Sequence, residues 1–396
     1  MRNSRICLTL IWFFLLPDRI RESGLYIPGV NLIRCFRVKL NVIGTPGWVV
    51  EKRMEELKLA VVILNWNGKK FLEKFLPTVI KQNPSYAKVF VADNGSTDQS
   101  LEFLSETFPD VELIELGKNF GYTGGYNRAL RQIKAEYFIL LNSDIEVSEG
   151  WIEPVINAMD ANLEIAACQP RILSYYNPEY FEYAGAAGGY IDYLGYPFCR
   201  GRVFSHLEPD KGQYNDAIEI FWATGACMFI RASDFFKAGE LDDGFFAHME
   251  EIDLCWRLKR IGKKIMYIPE SRVYHVGGGT LPKNNPRKTY LNFRNNLLLL
   301  AKNLPASVFY PLLFKRIILD EVAAIQFLFK GHIRDSWAVY RAVFSVIRSF
   351  RKARNQGKDL PYEKVSPVYK RSIVKRFFIL RVKRFSDLNP AHFSEL

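Results

Sequence analysis

The sequence predicts an α/β domain built on a mostly parallel sheet flanked by helices and followed by a C-terminal helical extension. Three observations predict it. From residue 59 onward, apolar runs of strand length alternate with segments of helical period. Two of those runs end directly in Asp93 and in Asn142, Ser143 and Asp144, at the strand ends where open α/β sheets hold ligands. Beyond Tyr290 the pattern stays helical to about Arg354.

Residues 59–64 (LAVVIL) form a strand buried on both faces, because a continuous apolar run leaves no polar side for water. The segment 69–81 reads as a helix interrupted near Pro77, which lacks a backbone donor. A strand over 88–92 closes on Asp93, and the turn 94–98 launches the next helix, with Ser96 or Thr97 as its N-cap. A strand at 111–116, a helix at 124–134 and a strand at 137–141 follow, then a helix at 151–159 and a strand near 165–169. The aromatic-rich stretch 175–204 is less regular; its rings either stack on sugars or pack under hairpins. Strands at 218–221 and 226–231 and a helix from 250 to 261 complete a domain assigned to 54–290. A helical region over 291–355 and a basic tail over 356–396 come after it. Residues 1–53 read as an extension outside the mature protein: the apolar run 6–16 is well short of the ~20 residues a spanning helix needs, and no A-x-A cleavage site follows it.

At 396 residues, 48% hydrophobic and 24% charged, the chain is enzyme-sized and globular, which excludes a disordered tail protein. The net charge of +12 concentrates at the two ends, and the centre is mildly acidic, which suits a divalent cation better than duplex DNA. Apolar clusters at 297–301 and 308–314, interleaved with Lys302, Lys315 and Arg316, fit adsorption to an anionic membrane surface; a solvated basic tail is the alternative. No RRM or KH motif supports a nucleic-acid partner. The six cysteines show no CxxC pair, so neither a zinc ribbon nor a disulfide framework is indicated, and a reducing compartment follows. After the first strand stands NWNGKK, without GxGxxG or a P-loop, which removes dehydrogenase and phosphate-loop ATPase readings.

What is present is an ordered set: VVILNWNG at 61–68, DNGSTD at 93–98, NFGYTGGYN at 119–127, LNSD at 141–144, TGA at 224–226, MEEIDLCWR at 249–257 and VYHVGGGT at 273–280. In this order and spacing the chain resembles the family-2 glycosyltransferases, most closely their rhamnosyltransferase-like branch, over about 59–296. The resemblance implies a GT-A-like fold and an inverting transfer of a sugar, with rhamnose a candidate, from a dTDP- or UDP-linked donor. It further implies a saccharide or lipid-linked glycan as acceptor and a peripheral location at the cytoplasmic face of the membrane. A catalytically inactive glycan-binding or assembly scaffold is the alternative.

The chemistry of such a transfer assigns the residues. A departing nucleoside diphosphate needs its charge neutralised, and hard oxygen ligands select Mn²⁺ or Mg²⁺. Asp144 stands where the family's DxD motif supplies a metal-binding carboxylate, with Asn142 in the first position and one formal charge fewer. The resemblance implies that His275 completes the metal shell. Asp93 resembles the nucleoside-binding aspartate. Asn65, Asn67, Asn94, Ser96 and Asp98 join it on the donor side; Asp98 equally suits the first turn of a helix as a dipole-complementing acid. Asn119, Gly121, Gly124, Gly125 and Asn127 form a glycine-spaced loop whose amides could face a diphosphate, or a simple tight turn. The acceptor hydroxyl needs a base, and the candidates are Glu251 and Asp253, with Glu250 beside them. The family pattern favours Glu251, a Glu where Asp is usual, while Asp253 also suits an i,i+4 ion pair with Arg257. Trp222, Thr224 and Gly225 resemble an acceptor-side wall; a buried core Trp is the alternative.

Overall fold

The computed structural model describes residues 56–277, 285–362 and 364–395. The expectation for 1–53 lies outside these residues, as do Gly278 and Gly279. Strands β1 (Leu57–Asn65), β2 (Ala87–Asp93), β3 (Glu112–Glu115) and β4 (Ala135–Asn142) pair in parallel in the order β3-β2-β1-β4. The chain runs outward from β1 to β3 and returns on the other side of β1, so the ends of β1 and β4 flank the topological switch point. The register sets Asn65 opposite Asp93 and Leu64 opposite Asn142, placing three of the expected polar residues along one rim.

Beyond β4 the nine-stranded sheet continues through β12 (Cys227–Arg231), β6 (Ile165–Ser174), β13 (Lys264–His275) and β11 (Ile218–Ile220). There β12 runs antiparallel to both neighbours and β6 runs parallel to β13. The short β5 (Ile145–Val147) pairs antiparallel with the end of β13, setting His275 opposite Ile145. That pairing brings the last strand of the domain to the tip of β4.

Side chains of β1 alternate between two layers. Leu59, Val61 and Ile63 pack under α1 (Lys69–Lys81) and α4 (Glu153–Ala161), while Ala60 and Val62 pack under α3 (Gly121–Leu130). Full burial of such side chains contributes about 1.5–3 kcal/mol each for the larger ones. Contrary to expectation, α1 runs unbroken through Pro77: Leu72, Phe75, Leu76 and Val79 are all buried, and their packing offsets one missing backbone bond. The helix α2 (Ser100–Thr107) starts later than expected, and Asp98 rather than Ser96 or Thr97 receives its first amide, Oδ1 accepting from Ser100 N at 3.1 Å. The helix α3 starts three residues before the expected Gly124.

The aromatic stretch forms β7 (Gly189–Asp192), β8 (Pro197–Cys199), β9 (Arg202–Val203) and β10 (His206–Leu207) of a second, six-stranded sheet. The segment read as a basic tail completes it with β14 (Val368–Tyr369), parallel to β7, and β15 (Phe393–Ser394). Tyr190, Phe198, Tyr369 and Phe393 pack against one another beneath it, so these rings are core. Asp192 ties the tail down, accepting from Ile373 N at 2.9 Å.

The helix α5 (Ala232–Lys237) follows β12, and α6 (Glu250–Arg260) precedes β13. The helical extension comprises α7 (Pro286–Asn303), α8 (Ala306–Phe329) and α9 (Ile333–Gln356), with α9 packed along α7. Among the described residues no helix is long and apolar enough to cross a membrane.

Candidate active site

The loops that follow β1 and β2 are tied to each other. Asn65 Nδ2 donates to Asp93 Oδ1 and to Ser96 Oγ, both at 3.1 Å. Asp93 Oδ2 accepts from Gly95 N at 3.1 Å and Ser96 N at 2.9 Å, while Asn67 Oδ1 accepts from Thr97 N at 2.7 Å. Asp98 Oδ2 accepts from Lys69 N at 3.1 Å, joining the start of α1 to that of α2. These polar residues therefore build one rigid rim. Trp66, between Asn65 and Asn67, was passed over in the sequence reading; it is 48% exposed at this rim, a ring free to stack on a base.

The glycine-spaced segment folds as the entry to α3. Asn94 Oδ1 accepts from Phe120 N at 3.0 Å, and Asn119 Oδ1 from Gly121 N at 2.8 Å. Gly121 has φ +74°, and a Cβ on Gly125 would lie 2.7 Å from Leu64, so α3 packs closely on β1. Asn127 is buried and engaged within the protein: its amide donates to Leu241 O at 2.7 Å and accepts from Leu241 N at 3.1 Å. Its expected donor role is corrected to a cross-link.

Asp144 and His275, 131 positions apart in the chain, meet. His275 Nε2 lies 3.2 Å from Asp144 Oδ1, and Val276 N donates to Asp144 O at 3.1 Å. Behind the imidazole, Glu182 Oε2 lies 3.1 Å from His275 Nδ1. Burial alone would lower the imidazole's proton affinity; the Asp144 and Glu182 carboxylates outweigh it and push His275 up to about 10. A 3.2 Å separation between an oxygen and a nitrogen donor is close to the cis edge, about 3 Å, of an octahedron with ~2.1 Å bonds. The pair therefore fits two ligands of one divalent ion, and a carboxylate behind a histidine ligand is the usual way of fixing its ring. Among the described residues no group of three or more His, Cys, Asp or Glu forms a full metal cage. Glu182 was missed in sequence; its only signal is the small-residue run AGAAGG that follows at 184–189. Asn142 anchors the same tip through its backbone, N donating to Ala226 O at 2.9 Å.

The helix α6 presents Glu250 and Glu251 at its first turn. Burial pushes both carboxyls up, Glu251 to about 7, and for Glu250 the neighbouring Glu251 charge acts in the same direction. One oxygen of each, Oε2, has no hydrogen-bond partner. Asp253 differs on every count. It is 0% exposed, Oδ2 is met by Arg257 at 2.8 Å and Lys302 at 2.9 Å, and Oδ1 by Asn303 at 2.8 Å. Despite burial, those cations hold it down at about 2. With both oxygens engaged Asp253 has none to offer an acceptor, and its catalytic candidacy is corrected to an ion network.

Just before α6, Phe246, His248 and Met249 all have positive φ, 66°, 70° and 75°, a conformation costly for non-glycine residues. Asn295 of α7 holds them there: its Nδ2 lies within hydrogen-bond reach of Phe245 O (3.0 Å), Ala247 O (2.9 Å) and His248 O (2.8 Å). The polar pair Asn295-Asn296 directly before the apolar run 297–301 was the available sequence signal.

On the acceptor side, Gly225 O accepts from Tyr122 Oη at 2.6 Å, and a Cβ at Gly225 would lie 2.3 Å from that oxygen. Thr224 is buried, with its amide donating to Gln169 Oε1 at 2.9 Å. Trp222 is 4% exposed and donates its indole N–H to Tyr190 O at 3.0 Å. It is a core residue and lines no acceptor wall.

Residues 60–236 match the model of Glycosyl transferase family 2. The chain is similar to an N-acetylglucosaminyl-diphospho-decaprenol L-rhamnosyltransferase of Mycobacterium tuberculosis, 27% identical over 240 residues that cover 55% of this chain and 75% of the relative. It is also similar to the rhamnosyltransferase WbbL of Escherichia coli K12, 23% identical over 228 residues covering 54% and 82%. Among solved structures, GalNAc-T7 with UDP, GalNAc and Mn²⁺ has a TM-score of 0.51 at 19% identity, over 63% of this chain and 48% of that one. With its motif order, its sheet and these matches, the chain has a GT-A fold and is similar, over residues 60–236, to the family-2 glycosyltransferases, with its likeness on their rhamnosyltransferase side.

Proposed function

We propose that this protein transfers a sugar, rhamnose being the first candidate, from a nucleoside-diphosphate donor to a hydroxyl of a lipid-linked saccharide with inversion. The observation that carries the reading is the meeting of Asp144 with His275 at the tip of β4, on the rim where Asn65 and Asp93 also lie. The nucleoside sits on that rim, with Trp66 against the base and the Asn65–Asp93–Ser96 network fixing the loops that surround the ribose. Asp144 and His275 would hold a divalent cation, Mn²⁺ or Mg²⁺, which would supply charge neutralisation for the departing diphosphate. Glu182 keeps the imidazole oriented. Glu251 takes the proton of the acceptor hydroxyl, its raised proton affinity matching a base that works near neutral pH, and Glu250 stands beside it on the acceptor side.

The acceptor's lipid places the enzyme on a bilayer. Phe314, Ile318, Val322, Ile325 and Phe329 of α8 recur every three or four residues on its exposed face, and Phe329 is 89% exposed. The hairpin continues into Ile333 and Trp337 of α9, also exposed, with Lys330, Arg334, Arg341 and Arg348 around them. Apolar residues ringed by cations complement an anionic bilayer surface.

The test is donor turnover. dTDP-rhamnose and UDP-sugars are offered with Mn²⁺ or Mg²⁺, and release of nucleoside diphosphate is followed. The wild type consumes one donor in a metal-dependent way and Asp144→Asn abolishes it; equal turnover in chelator or in the variant removes the reading.

A further inference from the structure

We propose that the cleft between the first turns of α7 and α9 is a binding site for the diphosphate of a bilayer-anchored lipid, the class of acceptor on which the proposed function rests. The cleft encloses about 470 Å³ and is lined by Phe246, Arg287, Tyr290, Arg334, Trp337 and Arg341, among others. Arg334 and Arg341 stand seven residues apart on one face of α9, and Arg287 faces them from α7. All three are exposed, and among the described residues none of their guanidinium groups lies within ion-pair distance of a carboxylate. The acid nearest in sequence, Asp335, is taken up otherwise: Oδ1 accepts from Thr289 Oγ1 at 2.5 Å, and Oδ2 lies 3.9 Å from His332 Nδ1.

Three unpaired guanidinium groups converging on one cleft suit an anion with several oxygens, because each planar fork can grip two of them. The N-termini of two long helices add their partial positive charge at the same place. Arg287 lies over the Phe246 ring at 5.1 Å and Arg341 over the Tyr290 ring at 5.3 Å, so two of the cations rest on aromatic faces that leave their edges open.

Position selects the anion. The inner wall, Phe246, belongs to the strained loop that leads into Glu250 and Glu251. The outer wall, Trp337, is 62% exposed and belongs to the apolar hairpin proposed to rest on the bilayer. A lipid seated there places its chain in the membrane, its phosphates between the arginines, and the sugar they carry toward the base. A soluble nucleoside diphosphate shares the phosphate chemistry but has no use for the outer wall.

The experiment uses the full chain and phosphatidylcholine vesicles carrying farnesyl diphosphate, compared with vesicles carrying phosphatidylglycerol at matched surface charge. Wild type is expected to bind the diphosphate vesicles at least roughly tenfold more tightly than the matched ones. The variant R287Q/R334Q/R341Q loses that margin, and R334K/R341K, which keeps the charge but not the fork, retains part of it. Equal binding of wild type to both vesicles, a margin that survives in the glutamine variant, or its removal by UDP with Mn²⁺ would each overturn the proposal, the last by assigning the cleft to the donor. A protein that transfers sugar without the margin loses the cleft alone. One that shows the margin but turns over no donor loses the enzymatic reading and keeps the cleft.

Discussion

Glu251 and Asp253 stand two residues apart, and their substitution should have opposite consequences. Asp253→Asn keeps the shape of the side chain but removes the charge that Arg257 and Lys302 share at 2.8 and 2.9 Å. A carboxyl held at about 2 rather than 3.8 contributes about 2–3 kcal/mol. This contribution is fully present above the unfolded value and is lost as pH falls through the folded one. Breaking a buried pair from one side costs about 3–5 kcal/mol. Lys302 retains Asp242 at 2.7 Å, and Arg257 retains the Glu240 carbonyl at 2.6 Å, so the lower end applies. At roughly 1–2 °C per kcal/mol for a unit of this size, Tm falls by about 3–6 °C. Glu251→Gln, by contrast, replaces a carboxyl that burial disfavours with a neutral amide, so Tm stays or rises while transfer falls by about 10²–10⁴-fold. Differential scanning calorimetry and a donor-turnover assay on both variants decide it. An Asp253→Asn protein with wild-type Tm and activity as low as Glu251→Gln would refute the assignment of the base.

The pH profile follows from the same carboxyl. Glu251, raised to about 7 by burial, is protonated and idle as a base below that value, so kcat/KM should climb as pH rises through about 7 and level above it; a flat profile from pH 5 to 9 would remove Glu251 as base. Glu182→Gln should weaken apparent Mn²⁺ affinity by about 10–100-fold with turnover largely restored at saturating Mn²⁺, read by metal titration; unchanged affinity would leave Glu182 a packing residue. Ile325→Asp with Phe329→Asp should abolish co-sedimentation with phosphatidylglycerol vesicles at nearly unchanged Tm, since both sites are exposed; sedimentation at wild-type level would move the membrane face elsewhere.

The central strands were legible because each is a local apolar run: β1, β2 and β4 lie within two residues of their expected bounds. The second sheet was not. Its strands are two to four residues long, and β14 pairs with β7 from far along the chain, so no local pattern marks them. The site divides in the same way. Asp144, His275 and Glu251 could be singled out because their motifs are distinctive. The direction of a polar side chain was invisible: Asn127 sits in a motif and Trp222 just before one, yet both serve the core, and Asp253 is claimed by Lys302 and Asn303 from α7. Periodicity says which face of a helix is wet but not which distant residue will reach it.

The Asn295 clamp has a consequence for where this enzyme can be cut. The family match stops at residue 236, yet the turn that precedes Glu251 is gripped by Asn295, 47 residues beyond His248 in the chain. A fragment trimmed after β13 would keep every nucleotide-side motif while its left-handed turn, released from the amide that restrains it, would relax and swing the base out of line. The placement of the proposed base thus depends on a segment that lies beyond the family match.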